Sequence, residues 1–332
     1  MKTSDKIRFG ILGTARIAEK VGKAITDASN ASLSVIASRD LDRAEEWAKQ
    51  HSADRFVGSY EEVLDDPNID AVYIPLPPSL HAEWTERAAA AGKHVLCEKP
   101  LAATVTDARR MAEACKKYDV QFMDGVMWMH HPRERDMRGI IDSGQLGELK
   151  HMASAFTFRW PTVPENDFRT KREFGGGSLL DLGWYCVGAA MWAFGEMPHR
   201  VFGSANFRNE VDMHFNGMLW FSDGKTATID CGFDTVMRRW FELAGTEKSL
   251  VCDDFTRPWK EEKPRFWIHQ TDGSADERIS DSPVQETCMV EAFSAAILSG
   301  TRNEAWPRHA LQVQQVCEAL DQSARSGQPV DL

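Results

Sequence analysis

The chain has 332 residues, and no stretch of it approaches the roughly 18 uninterrupted apolar residues of a membrane span. Basic charge is in short supply. Lys and Arg total 39 against 50 Asp and Glu, a formal net charge of −11. A phosphate backbone or an anionic bilayer needs a basic footprint, so no nucleic acid and no membrane is expected among the partners. The 7 Cys are odd in number and scattered, with no C-x-x-C pair. That excludes a zinc ribbon or a disulfide framework and points to reduced thiols and a cytoplasmic location. The first ten residues, MKTSDKIRFG, contain no long apolar run, so no secretory signal is expected. Hydrophobic residues make up 42% and charged ones 27%, the ordinary globular range. At roughly 150 residues per domain the length suggests two domains. The 11 Trp are an excess with two readings, core packing or the walls of a ligand site.

The chain divides by pattern. Up to about residue 125, short apolar runs at 7–12, 33–37, 71–74, 94–97 and 120–123 alternate with helical periodicity at 16–28, 40–50, 80–91 and 106–118, and 55–57 reads as extended. Strands joined by single helical crossovers predict a parallel doubly wound sheet. Beyond residue 126 the runs at 151–160, 200–207, 213–221, 225–233, 240–244 and 249–252 are joined by polar turns such as Ser222-Asp223-Gly224. They predict a mainly antiparallel sheet. Helices are expected at 178–194, 284–298 and 308–325, and 257–281 reads as loop with one edge strand. The expected fold is an α/β Rossmann domain at 1–125 followed by an α+β domain with a large open sheet at 126–332. Phe207, Phe215, Leu219, Phe221 and Phe233 are candidates for the outward face of that sheet.

The first turn carries Gly13, Ala15 and Ala18 in a G-x-G-x-x-G/A frame, after a strand and before a helix. Gly13 suits a tight turn. A small residue at 15 lets backbone N–H groups approach a pyrophosphate, and Ala18 permits close helix–strand packing. The second strand ends Ala37-Ser38-Arg39-Asp40, with Arg43 one turn on. Ser38, Arg39 and Arg43 suit a ribose 2′-phosphate, whereas Asp40 either caps the next helix or serves a free ribose. NADP(H) is therefore the expected cofactor, with NAD(H) possible.

The fifth strand ends Cys97-Glu98-Lys99-Pro100, which puts Lys99 on the rim where a nicotinamide would lie. A glycine run, Gly175-Gly176-Gly177, opens a helix bearing Asp181 and Tyr185 at i and i+4, on one α-helical face. Spacing alone leaves two readings, a core tyrosine capped by an aspartate or a proton donor with an orienting carboxylate. Adjacent His130 and His131 lack metal-ligand spacing, so no metal is expected.

These motifs, with Asp124-Gly125-Val126-Met127-Trp128-Met129-His130-His131-Pro132 between them, occur in order along essentially the whole chain. Together they resemble the glucose–fructose oxidoreductase / inositol dehydrogenase / MocA (Gfo/Idh/MocA) family, and within it the NADP-dependent sugar reductase and dehydrogenase branches. The resemblance implies that Tyr185 is the acid/base, Lys99 the active-site lysine and Asp181 the carboxylate beside them. It implies a cofactor site of Gly13, Thr14, Ala15, Arg16, Ile17, Ser38, Arg39, Arg43, Pro75, Leu76, His81, Glu98 and Lys99. Substrate contacts fall to Lys99, Trp128, Trp160, Asp181 and Tyr185, with Trp184 a third tryptophan able to stack on a sugar. Met129 stands where many relatives carry Arg. The expected function is NADP-dependent hydride transfer to or from a sugar, sugar-like polyol or keto-sugar, in a homodimer or homotetramer built on the second domain's sheet. A non-catalytic NADP-sensing regulator and a redox-assisted glycosidase are the alternatives.

Overall fold

The computed structural model describes residues 6–165 and 167–332. The first half comprises β1 (Ile7–Leu12), α1 (Arg16–Asp27), β2 (Ala31–Ala37), α2 (Leu41–His51), β3 (Arg55–Val57), α3 (Tyr60–Leu64), β4 (Ala71–Ile74), α4 (Pro78–Ala90), β5 (His94–Cys97), α5 (Val105–Lys117) and β6 (Phe122–Asp124). The six strands form one sheet in the order β3-β2-β1-β4-β5-β6, with every pair parallel. Parallel strands covered on both faces are apolar throughout, and all four residues of β4 are buried. Helix starts follow from local chemistry. Asp40, Ser59 and Thr104 cap α2, α3 and α5 by accepting from the N–H groups of Arg43, Glu62 and Asp107. Strand order reverses around β1, and the carboxyl ends of β1, β2, β4 and β5 form the ligand-binding rim of such a sheet. The five-residue α3 has no counterpart in the sequence reading, because it is shorter than two turns and shows no periodicity.

The second half comprises α6 (Pro132–Asp142), β7 (Leu149–Arg159), a π-helical turn at Leu179–Gly183, α7 (Trp184–Phe194), β8 (Arg200–Arg208), β9 (Val211–Trp220), β10 (Thr226–Gly232), β11 (Asp234–Gly245), β12 (Ser249–Cys252), β13 (Arg265–His269), β14 (Ala275–Ile279), α8 (Gln285–Leu298), α9 (Ala305–Ser326) and β15 (Val330–Asp331). Nine strands pair in the order β14-β13-β12-β11-β7-β10-β9-β8-β15. All pairs are antiparallel except β7 with β10, which join through a long excursion rather than a hairpin. α7 is apolar around its circumference and correspondingly buried.

Register assigns the two faces of this sheet. Phe215 and Leu219 point into the core with Ile229 and Leu243. Phe202, Met218, Thr228 and Trp240 occupy the opposite face. This corrects the outward assignment of Phe215, Leu219, Phe221 and Phe233, each at most 1% exposed. Phe207 is half-buried beneath the Arg325 guanidinium, 4.4 Å from its ring centroid. Residues 257–281 hold a hairpin, β13–β14, instead of a single edge strand. β14 is exposed at all five residues and shows no alternation to read, whereas β13 buries Phe266 and Ile268.

The chain packs as two compact units, one formed by the described residues through His130 with Val284–Leu311, the other by His131–Pro283 with Gln312–Leu332. The sequence reading cuts the chain once, at 125/126. Packing instead returns α8 to the first unit, where Met289, Val290 and Phe293 join the core and Phe293 meets Phe9 at 5.9 Å. No described helix is long and apolar enough to cross a membrane.

Candidate active site

The turn after β1 is built for close approach. Gly13 has φ +117° and donates its N–H to Ala37 O at 2.9 Å. A Cβ there would sit 3.0 Å from Leu76 Cδ2 in a backbone region that side chains avoid. Ala15 occupies the N-cap of α1 and supplies no side-chain hydrogen bond. No N-cap side chain therefore competes for the first N–H groups of α1, beside Thr14, Arg16 and Ile17, at the positive end of the helix. Ala18 is fully buried against the sheet. Glycine turn and uncapped terminus together fit a dinucleotide pyrophosphate.

At the end of β2, Ser38 is buried and its Oγ accepts from Asp40 N–H at 3.2 Å. Asp40 Oδ1 accepts from Arg43 N–H at 3.2 Å, so the carboxylate caps α2. Arg39 and Arg43 are exposed. The sequence reading missed Tyr60. Its ring meets Trp84 edge-on at 4.8 Å, and its hydroxyl lies 3.5 Å from where a Gly13 Cβ would be. Burial raises the Tyr60 pKa against the opposing charges of Arg39 and Arg43.

The β4 and β5 ends form the next part of the rim. Pro75 is buried and Leu76 half-buried. His81 is fully buried, with Nε2 2.7 Å from Leu76 O and Nδ1 3.1 Å from both Pro100 O and Leu101 O. It ties the two loops through their carbonyls, and burial lowers its pKa. Its ring is thus engaged by backbone and braces the two loops. Glu98 accepts from Tyr73 Oη at 2.6 Å and from Lys99 N–H at 3.2 Å. Burial raises the Glu98 pKa despite those bonds. A Cβ on Gly125 would come within 2.9 Å of Glu98 Oε1, which explains that glycine. Lys99 is half-buried and precedes a cis peptide to Pro100.

In the second unit, Trp160 follows β7 and stacks on Phe233 at 4.2 Å. Arg169 lies 5.3 Å from the Trp160 ring centroid and binds both oxygens of Asp167, at 2.9 and 2.7 Å. Its Nη1 stands 3.5 Å from Asp181 Oδ2. Burial works to lower the Arg169 pKa, but the two carboxylates outweigh it and the shift is upward. The glycine run makes this arrangement possible. A Cβ on Gly176 would meet Arg169 O at 2.6 Å, and one on Gly177 would meet Asp212 Oδ1 at 2.1 Å.

Asp181 sits inside the π-helical turn and Tyr185 in the first turn of α7. This corrects the expectation that both lie on one regular α-helix. Within the turn Gly183 packs closely, and a Cβ there would come within 2.9 Å of Cys231 Sγ and of Leu179 Cδ1. The half-buried Tyr185 ring meets Phe156 edge-on at 5.4 Å. Trp184 is 1% exposed and packs the core, which removes it as a sugar platform, and Trp128 is 3% exposed. Trp160 is half-buried. His131 caps α6, its Nδ1 accepting from Arg133 N–H at 3.0 Å, and His130 packs edge-on to Trp306 at 5.6 Å.

Comparison with known proteins agrees with these features. Residues 7–126 match a family model described as an oxidoreductase family with an NAD-binding Rossmann fold, and residues 135–251 match the GFO/IDH/MocA C-terminal domain. An uncharacterized oxidoreductase of Rhizobium meliloti is 36% identical, covering 97% of this chain and 98% of the relative. A D-xylose 1-dehydrogenase (NADP(+)) of Haloferax volcanii is 33% identical, covering 98% and 99%. A 3-ketoreductase from Actinomadura kijaniata, solved with NADP and TDP-benzene, superposes with a TM-score of 0.89 at 30% identity, covering 96% and 98%. That enzyme has also been solved with one lysine replaced by alanine and with one tyrosine replaced by phenylalanine. The expectation of NADP(H), with NAD(H) possible, agrees with the cofactors of these relatives. This chain is an enzyme and a member of the GFO/IDH/MocA family of NAD(P)-dependent oxidoreductases.

Proposed function

We propose that this enzyme is an NADP(H)-dependent oxidoreductase acting on a carbinol or carbonyl carbon of a sugar, sugar-like polyol or keto-sugar. The observation that carries the cofactor half is the glycine-led, uncapped N-terminus of α1 beside a second strand that ends in Ser38-Arg39. In this reading Asp40 is spent as a cap, and Ser38, Arg39 and Arg43 hold the 2′-phosphate with donors only. Thr14, Ala15, Arg16 and Ile17 border the pyrophosphate. Pro75, Leu76 and Glu98 line the rim that His81 braces. The bound nicotinamide supplies or accepts hydride.

The chain's own groups handle the oxygen and its proton. Tyr185 donates a proton to the carbonyl oxygen during reduction and takes it back during oxidation. Lys99, by its positive charge, favours the anionic form of that oxygen. Asp181 orients Tyr185. Trp160 provides an apolar ring for a sugar face, and Trp128 backs the substrate region as a packing residue.

The supporting relatives carry sugar names, a D-xylose 1-dehydrogenase (NADP(+)) and a dTDP-3,4-didehydro-2,6-dideoxy-alpha-D-glucose 3-reductase. The direct test is a panel of aldoses, ketoses, inositols and keto-sugars read by NADPH absorbance in both directions. Net turnover with at least one of them supports the reading. A cofactor retained through purification, with no net absorbance change during glycoside cleavage, would replace it by the redox-assisted glycosidase. Tight NADPH binding without turnover on any member would leave the regulator.

The same proposal extends to assembly. Phe202, Met218, Thr228 and Trp240 line a concavity of about 460 Å³ on the outer face of the nine-stranded sheet. An open apolar face of this kind suits a second copy of the chain, related by a two-fold axis. Light scattering at the mass of a dimer or tetramer fits this assembly, and a monomer excludes it.

A further inference from the structure

Asp212, on β9, is a buried carboxylate with no role in the chemistry above. Its Oδ2 accepts from Ser178 Oγ at 2.7 Å and from Leu179 N–H at 2.7 Å. Those residues are the last before, and the first of, the π-helical turn that carries Asp181. Gly177, with φ +118°, brings the backbone down onto the other oxygen of the same carboxylate. Ser178 Oγ also lies 3.3 Å from Cys231 O on β10. The start of the turn is therefore tied to two strands of the sheet through one acid and one hydroxyl.

A π-helical turn is rare and occurs mostly as a single-turn bulge within an α-helix, frequently at a functional site. Here the downstream end is fixed by the buried helix α7, and the upstream end has no side-chain cap of its own. Asp212 supplies the missing anchor from outside the helix, at the positive end of its dipole. Resting on the proposed roles of Asp181 and Tyr185, we infer that Asp212 is a positioning residue for the oxidoreductase reaction. It holds the π-turn in the register that presents Asp181 and sets the start of the helix bearing Tyr185.

Among the described residues, the groups around Asp212 give it no ion-pair partner. Cys231 on β10 and Cys317 on α9 are buried thiols, Asp321 on α9 adds negative charge, and Arg325 acts on it from the end of α9. Burial raises the Asp212 pKa to about 6, against the hydrogen bonds from Ser178 and Leu179, which favour the anion.

The test uses the full chain with NADPH and a substrate found active. Asp212→Ala is expected to lower kcat by tenfold or more, while the Kd for NADPH, set by the first unit, stays within twofold. Asp212→Asn keeps an amide oxygen able to accept both bonds and is expected to recover kcat to within about threefold of the unchanged enzyme. Normal kcat in Asp212→Ala overturns the assignment. So does a loss of kcat in Asp212→Asn equal to that in Asp212→Ala, or a joint loss of kcat and NADPH binding. If Asp212→Ala fails to fold, Ser178→Ala, which removes one of the two bonds, is expected to lower kcat severalfold at constant NADPH Kd. An unchanged kcat there overturns the idea equally. Tyr185→Phe run beside them separates the two readings. Normal turnover in Tyr185→Phe defeats the acid/base proposal itself, whereas impaired Tyr185→Phe with normal Asp212→Ala defeats only the positioning role.

Discussion

Arg169 Nη1 lies 3.5 Å from Asp181 Oδ2 while the same guanidinium grips both oxygens of Asp167. One half-buried cation thus serves two carboxylates, and the ring of Trp160 stands beside it. The loop after β7 is joined to the candidate catalytic turn through this residue.

Arg169→Met keeps an unbranched apolar stem and removes the charged guanidinium. Asp181 and Asp167 would lose a charge-assisted partner, an effect of roughly 1.5–3 kcal/mol per bond at partly buried sites. The expected outcome is a fall in kcat of about tenfold or more, with NADPH affinity unchanged, measured by steady-state kinetics and fluorescence titration. Arg169→Lys retains the charge but loses the fork and should fall between the two.

The proposed phosphate pocket makes a separate prediction. Arg39→Ala combined with Arg43→Ala should lower kcat/KM for NADPH by roughly tenfold to a hundredfold, the scale of charge-assisted bonds to phosphate. kcat/KM for NADH should change by less than about threefold. Equal losses with both cofactors would remove these arginines from the 2′-phosphate site.

Gly177 and Gly195 both have positive φ, +118° and +71°, but differ in surroundings. A Cβ on Gly195 meets nothing within 4 Å, whereas one on Gly177 would sit 2.1 Å from Asp212 Oδ1. Gly195→Ala should cost about 1–2 kcal/mol, the price of left-handed backbone alone. Gly177→Ala should cost well over about 3 kcal/mol or prevent folding. Urea melts of the two variants make the comparison.

These glycines show where the sequence was legible. Gly13, Ala15 and Ala18 announced a dinucleotide turn because strand, turn and helix fall within a dozen residues. The doubly wound sheet was readable for the same reason, since each crossover is local. The run Gly175-Gly176-Gly177 was visible as a signal, but its causes were not. Its partners, Arg169 O and Asp212 Oδ1, come from a loop and a strand that only the tertiary fold brings there. The π-turn was illegible because i, i+4 spacing describes an α-helix, and the contacts at its start, from Asp212 on β9, are made only in the tertiary fold. Tyr60 and Tyr73 escaped notice on a five-residue helix and a fully apolar strand, where periodicity carries no mark of a polar tip. The outward face of the large sheet was misassigned because Phe residues occur on both of its faces.

Asp212 gives a pH prediction with a definite sign. Its pKa is raised from an ordinary 3.8 to about 6 in the folded protein. The folded state therefore binds the proton more tightly than the unfolded chain between those values. The stability this contributes is complete below about pH 4 and is lost as pH rises through 6, by up to about 3 kcal/mol. Asp212→Asn cannot titrate. Its stability relative to the unchanged protein should improve between pH 4.5 and pH 7.5, with the pH window taken from the shift itself. A difference that stays constant across that range, by chemical denaturation, would contradict the assignment.

The central claim is that Tyr185 moves the proton while hydride passes to or from the nicotinamide. The most direct measurement is the single-turnover rate of hydride transfer in Tyr185→Phe against the unchanged enzyme, with NADPH saturating and its affinity checked independently. The account predicts a rate lower by roughly 10²–10⁴-fold, the contribution of positioned proton transfer, at unchanged NADPH Kd. A rate within a few fold of the unchanged enzyme would contradict it.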